Sequence, residues 1–153
     1  MRTRTGTWIE TKVKYQKTQK DGTEKMVTEP YVVDALSFTE AENSIIEEMS
    51  VYISGEFQVK AVKKAQYSEV FFSDVDDDDK WYKAKLQFIT IDEKTEKEKR
   101  SNVTYLVQAK SLARALRYID EVMGKTMIDY DTMGINETKI VDVFEYKSEK
   151  EKE

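Results

Sequence analysis

Apolar and polar residues alternate along "WIETKVKY" (residues 8–15), where Ile9, Thr11, Val13 and Tyr15 are separated by Glu10, Lys12 and Lys14. A period of two marks a half-buried strand, because successive side chains leave a strand on opposite faces. The alternation recurs in "WYKAKLQF" (81–88), with Tyr82, Ala84, Leu86 and Phe88 inward, and again at Val103, Tyr105, Val107 and Ala109. Elsewhere the period lengthens. Phe38, Ala41, Ile45 and Met49 recur at helical spacing, as do Leu112, Ala115, Ile119 and Met123. This predicts two amphipathic helices that turn those residues onto a sheet.

Punctuation agrees with the periods. Ser37, with Glu40 three residues on, is a capping box. Ser111 opens the second helix without that partner, because Arg114 stands there, and Gly124 predicts its end. Asp21-Gly22 in "QKDGTEK" is a hairpin signal, and "DEKTEKEKR" (92–100) is a charged loop at the matching place. Residues 55–72 and 126–146 read as long extended segments, with a bulge expected near Gly134 or Ala65.

The chain also matches itself. At an offset of 74, residues 31–49 fall on 105–123 with eight of nineteen positions identical, among them Tyr31/Tyr105, Ser37/Ser111, Ile45/Ile119, Glu47/Glu121 and Met49/Met123. At an offset of 73, Trp8 meets Trp81 and "EVFF" (69–72) meets "DVFE" (142–145). An internal period of this length signals one supersecondary unit used twice. The expected fold is α+β: two tandem ββαβ repeats, about 6–73 and 80–146, in one domain over 1–146. They are expected to share a core, with a pseudo-twofold, mainly antiparallel sheet and two helices packed on it. Residues 74–79 form an acidic connector and 147–153 a disordered charged tail.

Composition narrows the chemistry. Only 39% of the residues are apolar and 36% are charged, but nine Tyr, six Phe and two Trp suffice for a core. Histidine and cysteine are both absent, which excludes disulfides, thiolate nucleophiles, Ser-His triads and the usual zinc ligands. No phosphate-binding glycine motif is present. The net charge of −5 argues against a protein that coats duplex DNA. An EF-hand loop from Asp74 would need Gly sixth and Glu twelfth but has Asp79 and Lys85. The expectation is therefore a non-enzymatic protein with no catalytic residue, metal or cofactor. With no apolar run near ~20 residues and no apolar segment after the first arginines, it is expected to lack a signal peptide and to be cytoplasmic, away from membranes.

One binding face is suggested. Trp8, Lys12 and Lys14 share the outer side of their strand, as do Trp81, Lys83 and Lys85, and Arg2 and Arg4 lie close in sequence. Aromatic rings beside cations on an open sheet suit single-stranded nucleic acid or a nucleotide, with bases on the rings and phosphates on the lysines. The basic stretch 60–66 would extend that surface. A homodimer is expected as well, with Val32, Leu36, Val62, Ile89 and Ile91 as its candidate surface, and the alternative function is a protein-interaction or structural module whose outer face binds a partner protein.

Taken together, "VTEPYVVDALSFTEAE", "ISGEF", "YSEVFFSD", "WYKAKLQFITIDEKTEKEKR", "LVQA" and "DVFEY" resemble an uncharacterised domain family of Bacteroidetes and their phages. The resemblance spans about residues 6–146. It implies a role in phage replication or in countering host defence, such as sequestering a nucleotide signal, and supplies no site residues.

Overall fold

The computed structural model describes residues 1–146, so the expected tail at 147–153 lies outside the described residues. In chain order the elements are β1 (Arg2–Arg4), β2 (Trp8–Thr18), β3 (Glu24–Asp34), α1 (Phe38–Tyr52), β4 (Phe57–Lys64), β5 (Glu69–Phe72), β6 (Lys80–Ile91), β7 (Glu98–Ala109), α2 (Leu112–Met123), β8 (Asp129–Glu137) and β9 (Asp142–Phe144). The fold is α+β, but with two mixed sheets where one mainly antiparallel sheet was expected. The chain forms two compact units.

Among the described residues the first unit comprises Gly6–Ala65 and 139–146, with sheet order β4-β2-β3-β9. β2 and β3 form a long antiparallel hairpin closed at Asp21-Gly22. There Gly22 takes φ 86°, a left-handed value that costs glycine nothing. Asp21 Oδ1 accepts hydrogen bonds from the Thr23 amide at 3.0 Å and hydroxyl at 2.6 Å, which fixes the turn. Ile9, Val13, Tyr31 and Val33 from the sheet bury against Ala41, Ile45 and Met49 of α1. Burial of a side chain such as Ile45 contributes about 1.5–3 kcal/mol. Thr11 is buried on the same face, its hydroxyl donating to the Tyr31 carbonyl at 3.1 Å.

The second unit comprises Met1–Thr5 and Gln66–Thr138, with sheet order β1-β5-β7-β6-β8. Tyr82, Ala84, Leu86, Tyr105, Val107 and Ala109 pack against Ala115, Tyr118, Ile119 and Met123 of α2. Each helix thus packs on its own sheet, where both were expected on one. Phe38 and Leu112, expected on the sheet, are 56% and 53% exposed instead. Both sit in the first turn of their helix beside the cap, where the apolar stripe has not yet reached the sheet.

The two late extended segments divide. β4 and β8 are antiparallel neighbours of β2 and β6, each with an extra residue, Lys60 and Met133, at a register shift. A bulge therefore lies beside Gly134 as expected, and the other falls at Lys60, not near Ala65. β5, read as the close of the first repeat, pairs in parallel with β7. β9, read as the close of the second, pairs in parallel with β3. β1 joins the second unit through β5. "EVFF" and "DVFE" are near-equivalent as strands, so their pattern does not say whose edge they complete. The expected charged loop is also shorter: β6 and β7 continue to Ile91 and from Glu98, around a turn in which Glu96 has φ 59°.

Candidate functional site

Trp8 and Trp81 are 1% and 2% exposed. Neither indole is presented as a stacking platform, which corrects the open-face expectation. Each Trp anchors a strand start. The Trp8 carbonyl accepts the Ala65 amide at 2.9 Å, and the Trp81 carbonyl accepts the Thr138 amide at 2.9 Å and hydroxyl at 2.8 Å. Trp81 also meets Phe72 edge-on at 5.7 Å, and the Arg2 guanidinium lies 4.5 Å from the Phe72 ring centre.

Strand register sorts the expected cations. Arg4 is level with Val70, Val70 with Leu106, Leu106 with Lys83 and Lys83 with Asn136, a single row across the second sheet. Directly paired residues share a face. Arg2 and Arg4 therefore lie on the same side as Trp81, Lys83 and Lys85, with Arg2 and Lys85 exposed and Arg4 and Lys83 half-buried. In the first unit exposed Lys12 and half-buried Lys14 share the Trp8 side with Glu10, which pairs with Lys63 at 4.0 Å. Of the apolar positions assigned to an outer face, Val32 is fully buried, Val62 packs on the α1 side, and Leu36 and Ile91 remain 75% and 70% exposed. Glu47 and Glu121 are exposed, and Glu121 pairs with Arg117 one turn earlier at 3.7 Å.

The acidic connector contains a buried anchor. Asp74, Asp76, Asp77 and Asp79 are exposed, whereas Asp78 is 2% exposed. Asp78 accepts hydrogen bonds from the Ser73 and Tyr118 hydroxyls, and Arg114 Nη1 lies 3.2 Å from its Oδ1. Burial alone would raise this carboxyl. The donors from Ser73, Tyr118 and Arg114 outweigh it and hold the group below the ordinary aspartate range. Three protein donors thus engage it, two at Oδ2 and one at Oδ1. Among the described residues no cluster of three or more His, Cys, Asp or Glu could hold a metal ion.

The site that sequence reasoning missed is a cleft in the first unit with a volume of about 280 Å³. β2 and β3 contribute Tyr15, Lys17, Glu29 and Tyr31, the end of α1 contributes Met49 and Tyr52, and Asp142 and Phe144 come from β9. Tyr31 and Phe144 stack at 6.0 Å with 19° between their planes. Glu29 accepts from the Tyr15 hydroxyl at 2.6 Å, the Tyr31 hydroxyl at 3.2 Å and Lys17 Nζ at 3.1 Å. Burial favours the neutral Glu29, but these donors prevail and lower its pKa. Burial and then the Glu29 hydrogen bond and charge push the Tyr15 phenol up to about 12, and burial followed by the Glu29 charge raises Tyr31 as well. The signal available in the sequence was the doublet of Tyr15 and Tyr31 on inward positions, but Phe144 joins them only through the parallel pairing of β9.

Two α+β units, each with one helix on a mixed sheet that includes a parallel strand pair, define the class of protein. The model of the family described as "Domain of unknown function (DUF4494)" matches residues 7–146, and the chain belongs to that family. No curated protein and no solved structure matches the chain. No helix among the described residues is long and apolar enough to cross a membrane.

Proposed function

We propose that this chain is a non-enzymatic binding protein that takes its ligand in the tyrosine-lined cleft of the first unit. The observation that carries this reading is the convergence, in one concavity of about 280 Å³, of aromatic walls with the carboxylates of Glu29 and Asp142. Binding sites are concave and largely apolar, with a few polar groups that fix orientation. The sequence holds no His or Cys to serve as base or thiolate, and Asp78, the buried carboxylate of the second unit, is already held by three donors of the protein itself. A ligand of the folded state raises its stability. Thermal melting of the full chain with a panel of cationic, neutral and anionic small molecules therefore yields at least one stabiliser. Tyr52 is 71% exposed, so Tyr52→Ala removes the stabilisation while leaving the unliganded melting temperature in place. A panel with no stabiliser, or one equally effective on that variant, defeats the proposal.

A second reading, single-stranded nucleic acid or a nucleotide, is favoured by one observation: Arg2, Arg4, Lys83 and Lys85 share a face of the second sheet. With both indoles buried, the contacts would be to phosphates and not to stacked bases. Oligonucleotide binding that weakens steeply with salt and drops in Lys85→Ala supports it; salt-independent binding, or none, removes it.

A further inference from the structure

The geometry points to an organic cation as the ligand of the tyrosine-lined cleft: an alkylated ammonium group, carried by a small amine or by a lysine side chain of a partner peptide. This inference rests on the cleft being the binding site, and four features of the cleft converge on positive charge.

The walls come first. Tyr15, Tyr31, Tyr52 and Phe144 supply aromatic surface from four elements, β2, β3, α1 and β9. Ring faces carry the negative part of the aromatic quadrupole and attract ammonium groups, most strongly where water is thinned out. Met49 and Val141 add apolar contact for the alkyl substituents.

The second feature is the helix end. α1 finishes at Tyr52 with Ile53 as its C-cap, and Met49, Tyr52 and Ile53 all line the cleft. The last turn of a helix presents unpaired carbonyls equivalent to roughly half a negative charge, which basic side chains commonly offset. Here the last turn has no basic residue, and the cap amide satisfies only the Met49 carbonyl.

The third is the state of the two carboxylates. Glu29 is already engaged by Tyr15, Tyr31 and Lys17. Asp142 differs: its Oδ1 accepts the Val143 amide at 2.8 Å, and its surroundings add further negative charge. Asp142 is exposed as a residue; partial burial of its carboxyl raises it, the Val143 amide works the other way, and the charge of Glu48 raises it again. A cation beside Asp142 would relieve that strain on its charge.

The fourth is the balance of charge. Glu29 and Asp142 line the cleft and Glu48 acts on Asp142, while Lys17 is the single cation among the described lining residues and is already bound to Glu29. A phosphate or carboxylate ligand would meet Asp142, Glu48 and the helix end without a free donor cation. A neutral ligand would use the walls and leave those charges uncompensated.

The test uses the full chain and a matched pair of probes, choline and its uncharged isostere 3,3-dimethyl-1-butanol, followed by calorimetry and by amide chemical shifts. The expected result is choline binding with shifts confined to the cleft-lining segments, residues 15–17, 29–31, 49–53 and 141–144. The isostere should bind roughly three- to fivefold more weakly, as a cation–π contact at a partly open site implies. Asp142→Asn should erase the preference for choline without weakening the isostere, a result that general loss of fold would not give. Tyr52→Ala should weaken both. Peptides carrying lysine or trimethyllysine distinguish the source: tighter binding than choline assigns the cation to a partner chain, and weaker binding assigns it to a free amine. Equal affinity for choline and isostere overturns the cation and leaves the cleft standing. If no probe shifts the cleft residues, both ideas fall.

Discussion

At Asp78, three donors converge on a carboxylate that solvent scarcely reaches. Its removal orphans the Tyr118 hydroxyl, which is itself buried. Asp78→Ala should therefore cost about 2–3 kcal/mol, the range for stranding buried hydrogen-bond partners. Asp76→Ala, one exposed turn away, should stay within about 0.5 kcal/mol. Chemical denaturation of the two variants checks this, and equal costs would refute the anchor. The pH dependence follows from the sign of the shift. The folded-state pKa of Asp78 is lowered, so its contribution is complete above the unfolded value of about 3.9. It is lost as pH falls through the folded value. As pH falls below about 4, the wild-type melting temperature should drop more than that of Asp78→Asn. The acidic run was legible as a connector without metal geometry. Which aspartate turns inward was not, because five identical side chains carry no pattern; only the reach of Ser73, Tyr118 and Arg114 selects one.

At the scale of elements, the difference between the two helix starts is the informative one. Ser37 accepts the Glu40 amide at 3.1 Å while Glu40 Oε2 reaches back to the Leu36 amide at 3.3 Å, a reciprocal cap displaced by one residue from the simplest box. Ser111 makes the same cap to the Arg114 amide at 3.2 Å. Its position-three side chain, however, is a guanidinium committed to Asp78. The missing box partner, visible in the sequence, is thus the price of the loop anchor. Arg114→Glu should restore a capping box yet lower the melting temperature, because a carboxylate would then face Asp78. In an Asp78→Ala background the same substitution should no longer lower it. Melting curves of the four variants give the cycle directly, and additive effects would show that the cap and the anchor are not exchanged. Strand and helix periods, the hairpin glycine and the caps were all legible here, since each is set by local spacing. The first-turn residues Phe38 and Leu112 were misplaced because periodicity alone does not say where a helix begins to overlie its sheet.

At the scale of the whole molecule, the chain path has a consequence that no single element reveals. Residues 1–65 carry all of the first unit except β9 and also carry β1, an edge strand of the second. Residues 66–153 carry the second unit except β1 and also carry β9. A cut between Ala65 and Gln66 therefore leaves each fragment with a strand that belongs to the other. The self-match of the sequence identified "EVFF" and "DVFE" as counterparts but could not reveal this exchange, since partner choice depends on which sheet edge is open and not on strand pattern. Without β9, the β3 edge at Tyr31–Val33 loses its parallel partner, and the cleft loses Asp142 and Phe144. Unpaired edges seek strands. Fragments 1–65 and 66–153, expressed together, should hence copurify as a one-to-one complex on size exclusion. Deleting 139–153 from the second fragment should abolish cleft binding by the first and weaken the complex, while deleting residues 1–5 from the first should weaken the complex with the cleft intact. Two fragments that fold and run as independent monomers would contradict the exchanged strands, and with them the composite origin of the cleft.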